Sequence, residues 1–565
     1  MSELATAFEK YKAGDYSASE KLLRDIIKRH AKDPKAQHLF SIVLKSQKKF
    51  SQALKAIDHA LVLSPNDVNV HYEKVQILMA KGDISQAVSI SAKLLSAFPD
   101  HLNASIISGN YWLKQDFPER AHSIFEKALK YHPSHPTLLR GQIFALKDTQ
   151  NHEKAWEAIN KIGDAPDLIY TKGQLYLEGF EPEKAILAFE EALNYTPRFS
   201  SAAREVLQCA FMSGGIDKVR LYVEKIRAKF PRQSEFNIIV ADVFNEIGLG
   251  AEALEWVEKF EHVSGVHFQA ATTRSSIYIT QNDEVKALES AKRALALSPE
   301  YDGAAMQLAK AALMANRPEE TLKIARKFMN LNSNKNSFWT AMEATALRLM
   351  GKDKAYKRLI DYESMIGVYD LEPPQGYESL EVFLEALKIH LLSLHEWQEH
   401  PLFQSLRQGT QTSQDLRHSK HPVLQSFFKA IEKPIENYIA SMPNQSNHPF
   451  FGRKKDSFRF SGAWSVALRP GGYHVNHIHP KGWISSSFYV DVPDSVNDSS
   501  QKSGWIQFGQ PPFNAADIMP EYFVCPKAGR LVLFPSYMWH GTVPFTEGVR
   551  RLTLPFDVMP LDNSV

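Results

Sequence analysis

The sequence predicts a multidomain protein in which an all-α superhelix is followed by a helical linker and a β jelly-roll. Three observations support this fold class. A 34-residue repeat fills the first two thirds of the chain, a stretch with paired prolines ends it, and short β-branched and aromatic runs fill the last part. The predicted segments are 1–362 for the repeats, 363–445 for the linker and 446–565 for the jelly-roll.

Two independent series of residues define the repeat. Small or compact residues recur every 34 positions, with one interval of 30, and prolines follow the same period with the same shortening. We expect two helices per unit: the small residue lies where they cross closely, and the proline ends the second helix. In the unit 140–169, NKIGDAPD predicts a second helix that ends early. The small series is Ser19, Ala53, Ala87, Ala121, Ala155, Ala185, Val219, Ala253, Ala287, Thr321 and Ala355, and the prolines are Pro65, Pro99, Pro133, Pro197, Pro231 and Pro299.

The period, the crossing alanine, the Gly82-Asp83 turn and the terminal proline resemble the tetratricopeptide repeat, with about eleven units over residues 1–362. The resemblance implies a superhelix whose groove binds a protein or peptide partner. An alternative is that the array is a spacer or a dimerisation arm, because solenoid geometry alone fixes no ligand. The marker residues are packing positions and identify no binding contact.

Composition argues against several classes of function. Lys+Arg 66 against Asp+Glu 64 leaves a formal charge of +2, so there is no overall field to attract nucleic acid or an acidic membrane. We find no run of about 18 apolar residues and no signal-peptide core, and therefore expect no membrane partner. The two cysteines, Cys209 and Cys525, favour a reducing compartment, and we expect a cytoplasmic protein. The sequence leaves the oligomeric state open.

The segment after the repeats combines helical and irregular patterns. IGVYDLEPPQGYESLE is a boundary by composition, and SLEVFLEALKIHLLSLHEW and HPVLQSFFKAIEKPIENYIASM are helical by period. The polar stretch PLFQSLRQGTQTSQDLRHSKH between them predicts an irregular connector; its arginines and threonines either contact a substrate or cap the fold. From about residue 456, strand-like runs separated by Gly, Pro, Asn and Asp predict a sandwich or barrel with a ligand-sized mouth.

Three histidines of this last segment form a candidate metal site. His477 and His479 alternate in a strand-like run, so a period of two places both imidazoles on one face, and His540 follows the later strand RLVLFPSYMW. Imidazole suits Fe(II), Zn(II), Cu(II) and Ni(II), and three ligands on one side leave positions open for substrate. The alternative is three ordinary histidines among 21. His474 falls on the opposite face, where we expect support for the ligands or a surface position.

Three runs resemble the double-stranded β-helix of Fe(II)/2-oxoglutarate oxygenases, namely RPGGYHVNHIHPKGWISSSFYV, PKAGRLVLFPSYMWHGTVPF and RRLTLPFDV. The resemblance is closest to the bacterial branch in which this domain follows tetratricopeptide repeats. The resemblance implies metal ligation by His477 and His540 and binding of the cosubstrate by Arg551 with Thr553. His479 stands where the superfamily usually has Asp or Glu. Three neutral imidazoles would leave the +2 charge of the metal uncompensated, and the 2-oxoglutarate dianion is a source of compensation.

Two arginines compete for the carboxylate of the cosubstrate. Arg551 and Thr553 share one face of their strand, whereas Arg550 points the other way, so we favour Arg551. The alternative for this pair is a structural ion pair at the sheet edge. Tyr489 is spaced to face the same cavity and is a further candidate contact, although strand aromatics are more often core residues.

The resemblance implies a 2-oxoglutarate-dependent dioxygenase, a hydroxylase that uses Fe(II), 2-oxoglutarate and O2. We expect its substrate to be a protein or peptide side chain presented by the repeat groove, and no catalytic residue beyond the metal ligands is required. Two alternatives stay open. One is another cupin-type metalloenzyme that does not use 2-oxoglutarate, and the other is a scaffold whose metal domain is only structural.

Overall fold

The structure is a computed structural model that describes residues 2–163, 165–195, 199–331, 336–516, 518–546, 548 and 550–561. The chain divides into two compact units, one ending at Leu168 and the other beginning at Ile169. Among the described residues, no helix is both long enough and apolar enough to cross a membrane.

The first unit consists of antiparallel helix pairs. Every pair is joined by a turn with one residue in the left-handed region, at Gly14, Lys48, Gly82, Asp116 and Gln150, with φ between 54° and 90°. These residues lie 34 positions apart, so the backbone repeats with the period of the sequence. The helices are α1 (Glu3–Lys12), α2 (Tyr16–Arg29), α3 (Pro34–Ser46), α4 (Phe50–Leu63), α5 (Val68–Lys81), α6 (Ile84–Ala97), α7 (Leu102–Lys114), α8 (Pro118–Tyr131), α9 (Pro136–Asp148) and α10 (His152–Ile162).

The second unit continues the same pattern. Helix α13 consists of two helical segments that meet at a kink at Gly215, where φ is 65° and ψ is −158°. The predicted early end of the shortened unit is confirmed, since α10 ends at Ile162. The helices that follow are α11 (Pro166–Glu178), α12 (Pro182–Ala192), α13 (Phe199–Lys229), α14 (Glu235–Glu246), α15 (Gly250–Ser264), α16 (Phe268–Thr280), α17 (Glu284–Leu297), α18 (Asp302–Met314), α19 (Pro318–Leu331), α20 (Asn336–Leu349), α21 (Asp353–Leu359) and α22 (Tyr362–Met365).

The small residues of the repeat lie at helix crossings, as predicted, with one exception. All from Ser19 to Thr321 are fully buried, and the two hydroxyl-bearing members donate hydrogen bonds to the preceding helix, Ser19 to the Ala7 carbonyl (2.8 Å) and Thr321 to the Ala309 carbonyl (2.9 Å). Ala355 is exposed on the short helix α21, which has 7 residues and buries none of them. The eleventh unit is therefore incomplete.

The prolines of the repeat follow the helix ends closely. Each lies two residues after the last residue of α4, α6, α8, α13 or α17, where its missing N–H interrupts no helical hydrogen bond. Pro197 lies outside the described residues. The five described prolines are Pro65, Pro99, Pro133, Pro231 and Pro299.

The segment after the repeats contains both predicted helices, α23 (Leu380–Leu392) and α24 (Pro422–Ser441). It also contains two strands that the sequence did not indicate, β1 (Gly367–Asp370) and β2 (Leu406–Gln411). The expectation of an irregular connector between the helices is therefore wrong. A polar strand at a sheet edge has no apolar alternation to reveal it, and its formation depends on the partner strand.

The strands build an antiparallel sandwich-like region, as the jelly-roll prediction required. One sheet has the order β1-β8-β5-β10-β4-β2, with β11 paired to both β3 and β5, and a three-stranded sheet has the order β7-β6-β9. The remaining strands are β3 (Ser457–Ala463), β4 (Val466–His474), β5 (Ile484–Asp491), β6 (Ile506–Phe508), β7 (Tyr522–Val524), β8 (Arg530–Pro535), β9 (His540–Thr542), β10 (Arg551–Thr553) and β11 (Phe556–Leu561).

One apolar core runs through the second unit from the last repeats into the sheet. It includes Trp339 of α20, Phe427 of α24 and Phe488 of β5, all fully buried. Polar contacts reinforce this packing: the Trp539 indole donates to the Thr345 hydroxyl at 2.9 Å. The strands are thus held against the last repeat helices within one compact unit.

Candidate metal centre

Two chain segments carry the three histidines, and backbone hydrogen bonds fix them side by side. The N–H of His477 donates to the carbonyl of His540 at 2.8 Å, and the N–H of His540 donates back at 3.0 Å. The N–H of His479 donates to the Ser536 carbonyl at 2.9 Å. The predicted strand around His477 and His479 is shorter than expected, since β4 ends at His474 and only the isolated bridge to His540 continues the pairing.

A glycine permits this close approach. A Cβ atom on Gly541, directly after His540, would lie 2.1 Å from Oδ1 of Asn476 and 2.9 Å from the carbonyl oxygen of His474. Any larger residue would therefore separate the two segments and move the imidazole of His540 away from the other two.

The three imidazoles converge on one point. One ring nitrogen from each of His477, His479 and His540 lies within 4.8 Å of the other two, and the Nε2 atoms of His477 and His479 are 3.2 Å apart. The centroids of the His477 and His540 rings are 4.2 Å apart. This spacing suits nitrogen atoms that share a cation.

The opposite nitrogen of each ring meets an oxygen that only accepts hydrogen bonds. Nδ1 of His477 lies 2.9 Å from the Val475 carbonyl, and Nδ1 of His540 lies 2.9 Å from the Met538 carbonyl. Nδ1 of His479 lies 2.7 Å from both carboxylate oxygens of Asp557. In the neutral rings the proton therefore resides on Nδ1, and each Nε2 presents a lone pair to the common point.

Burial favours the neutral form of two of these imidazoles, those of His477 and His540. It lowers the pKa of His477 to about 3, with the neighbouring His479 adding to the effect, and it lowers the pKa of His540 well below its usual range. Neutral imidazole is the form that binds a metal ion.

Asp557 of β11 is a functional candidate that the sequence prediction missed. Its carboxylate accepts hydrogen bonds from Nδ1 of His479 and from the Ser485 hydroxyl, the latter at 2.7 Å. The anion beside His479 supplies negative charge that an acidic ligand would have supplied directly, so the cosubstrate is not the only source of compensation. One feature of the sequence could have indicated it. Asp557 is a single acidic residue within the apolar run LPFDVM, and acidic residues in such buried strands are usually paired with another group.

His474 lies beside the three histidines rather than among them. Its Nδ1 is 2.9 Å from the Ser405 hydroxyl, which in turn is 3.3 Å from Nε2 of His477. Ser405 precedes β2, in the stretch that was expected to be a connector. His474 thus contacts the candidate ligands through Ser405 and lines the same cavity.

Of the four candidate contacts for the cosubstrate, Arg551 and Thr553 line the cavity that contains the three histidines. The Tyr489 ring lies beside Arg551, with 5.0 Å from the guanidinium carbon to the ring centroid, and Tyr489 is paired with Thr553 across the sheet. Arg550 is exposed. Arg550 lies just before β10, whose three residues are all buried.

Arg551 is buried without a counter-ion among the described residues. It is 2% exposed, its Nε has no hydrogen-bond partner there, and neither does the Tyr489 hydroxyl. Burial lowers the pKa of Arg551 and raises the pKa of Tyr489. An unpaired buried guanidinium is costly, and an incoming carboxylate would satisfy it together with the phenol.

The cavity has a volume of about 740 Å³, and both the strands and the repeat helices of the second unit form its wall. The strands supply the three histidines, Arg551 and Thr553, whereas Glu246 of α14 and Lys310 of α18 come from the repeat helices. Arg407 of β2 bridges the two parts through a 2.8 Å ion pair with Glu246. The repeats thus form part of the cavity wall.

Comparison with protein families agrees with this arrangement. Residues 462–557 match the family described as "Putative 2OG-Fe(II) oxygenase", and residues 166–199 match the tetratricopeptide repeat. The chain combines tetratricopeptide repeats with an oxygenase-family domain. That domain contains the three histidines, Arg551 and Asp557. A search of curated proteins found no match.

Several solved structures resemble part of the chain. A tetratricopeptide repeat protein from Parabacteroides merdae is 14% identical, with 55% of this chain and 97% of that chain covered and a TM-score of 0.29. Pseudomonas aeruginosa pilF is 13% identical, with coverages of 34% and 90% and a TM-score of 0.30. MamA from Desulfovibrio magneticus is 17% identical, with coverages of 29% and 94% and a TM-score of 0.26. At these TM-scores nothing about function is transferred from them.

Proposed function

We propose that this protein is an Fe(II)- and 2-oxoglutarate-dependent dioxygenase that hydroxylates a side chain of a protein or peptide. The observation that supports this most strongly is the convergence of one ring nitrogen from each of three histidines. The Nδ1 atom of each ring faces an oxygen acceptor, and the cluster lies beside a buried arginine that has no counter-ion among the described residues. The donor set suits a divalent metal, and the arginine suits a dicarboxylate that also reaches the metal.

Each residue of the site has a definite role in this proposal. His477, His479 and His540 hold the metal from one side, and Asp557 retains the proton on Nδ1 of His479 so that Nε2 stays free to bind. Arg551, with Thr553 and Tyr489 beside it, orients the far carboxylate of 2-oxoglutarate. When bound, Fe(II) with 2-oxoglutarate and O2 supplies the oxidation that converts C–H to C–OH and yields succinate and CO2. No side chain is needed as general base.

A polypeptide substrate is supported by the composition of the cavity wall. Glu246 and Lys310 reach it from repeat helices, so a segment lying along those helices would adjoin the metal centre. Hydroxylation inside a cavity of this kind also excludes bulk water from the reacting groups. A cytoplasmic location belongs to the same proposal, since Cys209 and Cys525 are both free thiols.

Anaerobic absorption spectroscopy of the full-length protein tests the metal centre. Fe(II) with 2-oxoglutarate should give a charge-transfer band in the wild type and in His474→Ala, and the band should be lost in His479→Ala and His540→Ala. An unchanged band in His479→Ala would remove that residue from the ligand set. Circular dichroism of each variant separates loss of metal from loss of fold.

Succinate release distinguishes the remaining alternatives. Metal binding with no succinate formed from 2-oxoglutarate and O2 would indicate a different cupin-type metalloenzyme. A structural metal domain would instead unfold in His477→Ala, with no succinate from the wild type. The proposal requires O2-dependent succinate release that the histidine variants lose while they remain folded.

A further inference from the structure

Lys310 is a charged residue whose position is not explained by stability. It lies on α18 between Ala309 and Ala311, which are both fully buried, and it lines the cavity of the metal centre. Among the described residues it has no acidic partner, and burial alone lowers the pKa of its ammonium group. An ammonium group without an acidic partner on a cavity wall is free to pair with an anionic ligand.

The other charges of the cavity wall are already accounted for. Arg407 pairs with Glu246 at 2.8 Å, and Asp557 pairs with His479 at 2.7 Å. Arg551 belongs to the strand that faces the cosubstrate. Four cationic and two anionic side chains line the cavity, namely Lys310, Arg407, Lys481 and Arg551 against Glu246 and Asp557.

This balance leaves an excess of positive charge for the substrate. A dianionic cosubstrate and a divalent metal cancel each other, so the surplus on the wall persists after both have bound. Lys481 is exposed, whereas Lys310 is only partly exposed and lines the cavity from α18. Lys310 is therefore the cation on the repeat side of the cavity that gains most from a carboxylate.

A second polar group lies near Lys310 on α18. Gln307 lies one turn before Lys310 on the same helix face, and its Oε1 is buried without a hydrogen-bond partner among the described residues. An amide oxygen and an ammonium group one turn apart suit a peptide, which offers backbone N–H donors next to a carboxylate.

We propose that Lys310 is the specificity-determining residue for the substrate, and that it binds a carboxylate of a peptide held against α18. This inference rests on the proposed function, because it places the peptide beside the metal centre. The carboxylate comes either from an Asp or Glu side chain or from a C-terminus, and the experiment separates these two sources.

The test uses short fluorescent peptide pools and the full-length protein. The pools carry Asp, Glu, Asn or Gln at one fixed position, each with a free or an amidated C-terminus. Fluorescence anisotropy measures binding without added metal, and O2-dependent succinate release with Fe(II) and 2-oxoglutarate measures coupled turnover. The variants are Lys310→Met, Lys310→Arg and Lys310→Glu. Lys323→Met, at an exposed lysine of α19, is the matched control.

The wild type should bind carboxylate pools about ten- to a hundred-fold more tightly than their amide counterparts, as expected for one charge-assisted hydrogen bond. Lys310→Met should abolish that preference, Lys310→Arg should retain most of it, and Lys310→Glu should reverse it in favour of the amide pools. Lys323→Met should match the wild type. If only free C-termini are preferred, the carboxylate is terminal; if only Asp or Glu is preferred, it is a side chain.

Two results would overturn the inference while leaving the proposed function intact. One is equal binding of carboxylate and amide pools by the wild type, including no binding of either. The other is loss of the 2-oxoglutarate charge-transfer band in Lys310→Met, which would assign Lys310 to the cosubstrate. Failure of the proposed function would give a different result. The wild type would then show neither succinate release nor a charge-transfer band, even if carboxylate peptides still bind through Lys310.

Discussion

Replacement of Asp557 tests the central feature of the metal centre, the fixed proton on Nδ1 of His479. The carboxylate lies 2.7 Å from Nδ1 through both oxygens, is only 15% exposed, and also accepts from Ser485. Asp557→Asn retains an oxygen acceptor but removes the charge, whereas Asp557→Ala removes both. Supporting groups of this kind contribute about 10- to 100-fold to metal affinity, or about 1.4–2.7 kcal/mol.

We therefore expect Fe(II) affinity to fall about tenfold in Asp557→Asn and about a hundredfold in Asp557→Ala. The difference between the two arises because alanine leaves Nδ1 unpartnered, so the proton is free to move to Nε2 and block ligation. Anaerobic titration of Fe(II) in the presence of 2-oxoglutarate measures both values, and thermal unfolding of the metal-free proteins shows whether the fold is retained.

Ser485→Ala is the matched control, because it removes the other hydrogen bond of Asp557 and leaves the contact with His479 in place. Its Fe(II) affinity should stay within a few-fold of wild type. Wild-type affinity in a folded Asp557→Ala protein would refute the reasoning, since the tautomer of His479 would then not depend on the carboxylate.

Three further predictions concern the cosubstrate, the repeats and the response to acid. Arg551→Lys should raise the Kd for 2-oxoglutarate about 10- to 100-fold by loss of bidentate binding, with Fe(II) binding retained and Arg550→Lys unchanged in the same titration. Ala287→Leu should lower the free energy of unfolding by about 1–3 kcal/mol through overpacking at a fully buried crossing, whereas Ala355→Leu, at the exposed equivalent, should change the urea midpoint little. Burial, with Arg550 nearby, lowers the pKa of His395 to about 4, so its stabilising effect is complete above about pH 6.5 and is lost as the pH falls towards 4. The slope of unfolding free energy against pH should decrease in His395→Gln by up to about 1.4 kcal/mol per pH unit, and an unchanged slope would contradict the assignment.

The sequence was most informative where a local pattern has a local cause. The 34-residue period fixed the helix pairs, because helix length, the turn residue and the crossing residue all lie within one unit. The expected alternation of strand side chains favoured Arg551 over Arg550 in the sequence, and in the structure Arg551 is buried whereas Arg550 is exposed. Ala355 shows the limit of the pattern: it keeps the period in the sequence, yet it is exposed on the short helix α21.

The sequence by itself determined the repeat, the strand-rich segment and the three histidines as candidate ligands. Only the tertiary structure decided that His477 and His540 meet through a backbone bridge, that Asp557 fixes the proton of His479, and that Lys310 from a distant repeat lines the same cavity. The physical reason is that periodicity arises from short-range geometry, which neighbouring residues encode. Contacts between residues tens or hundreds of positions apart depend on which strands pair and which helices pack against them.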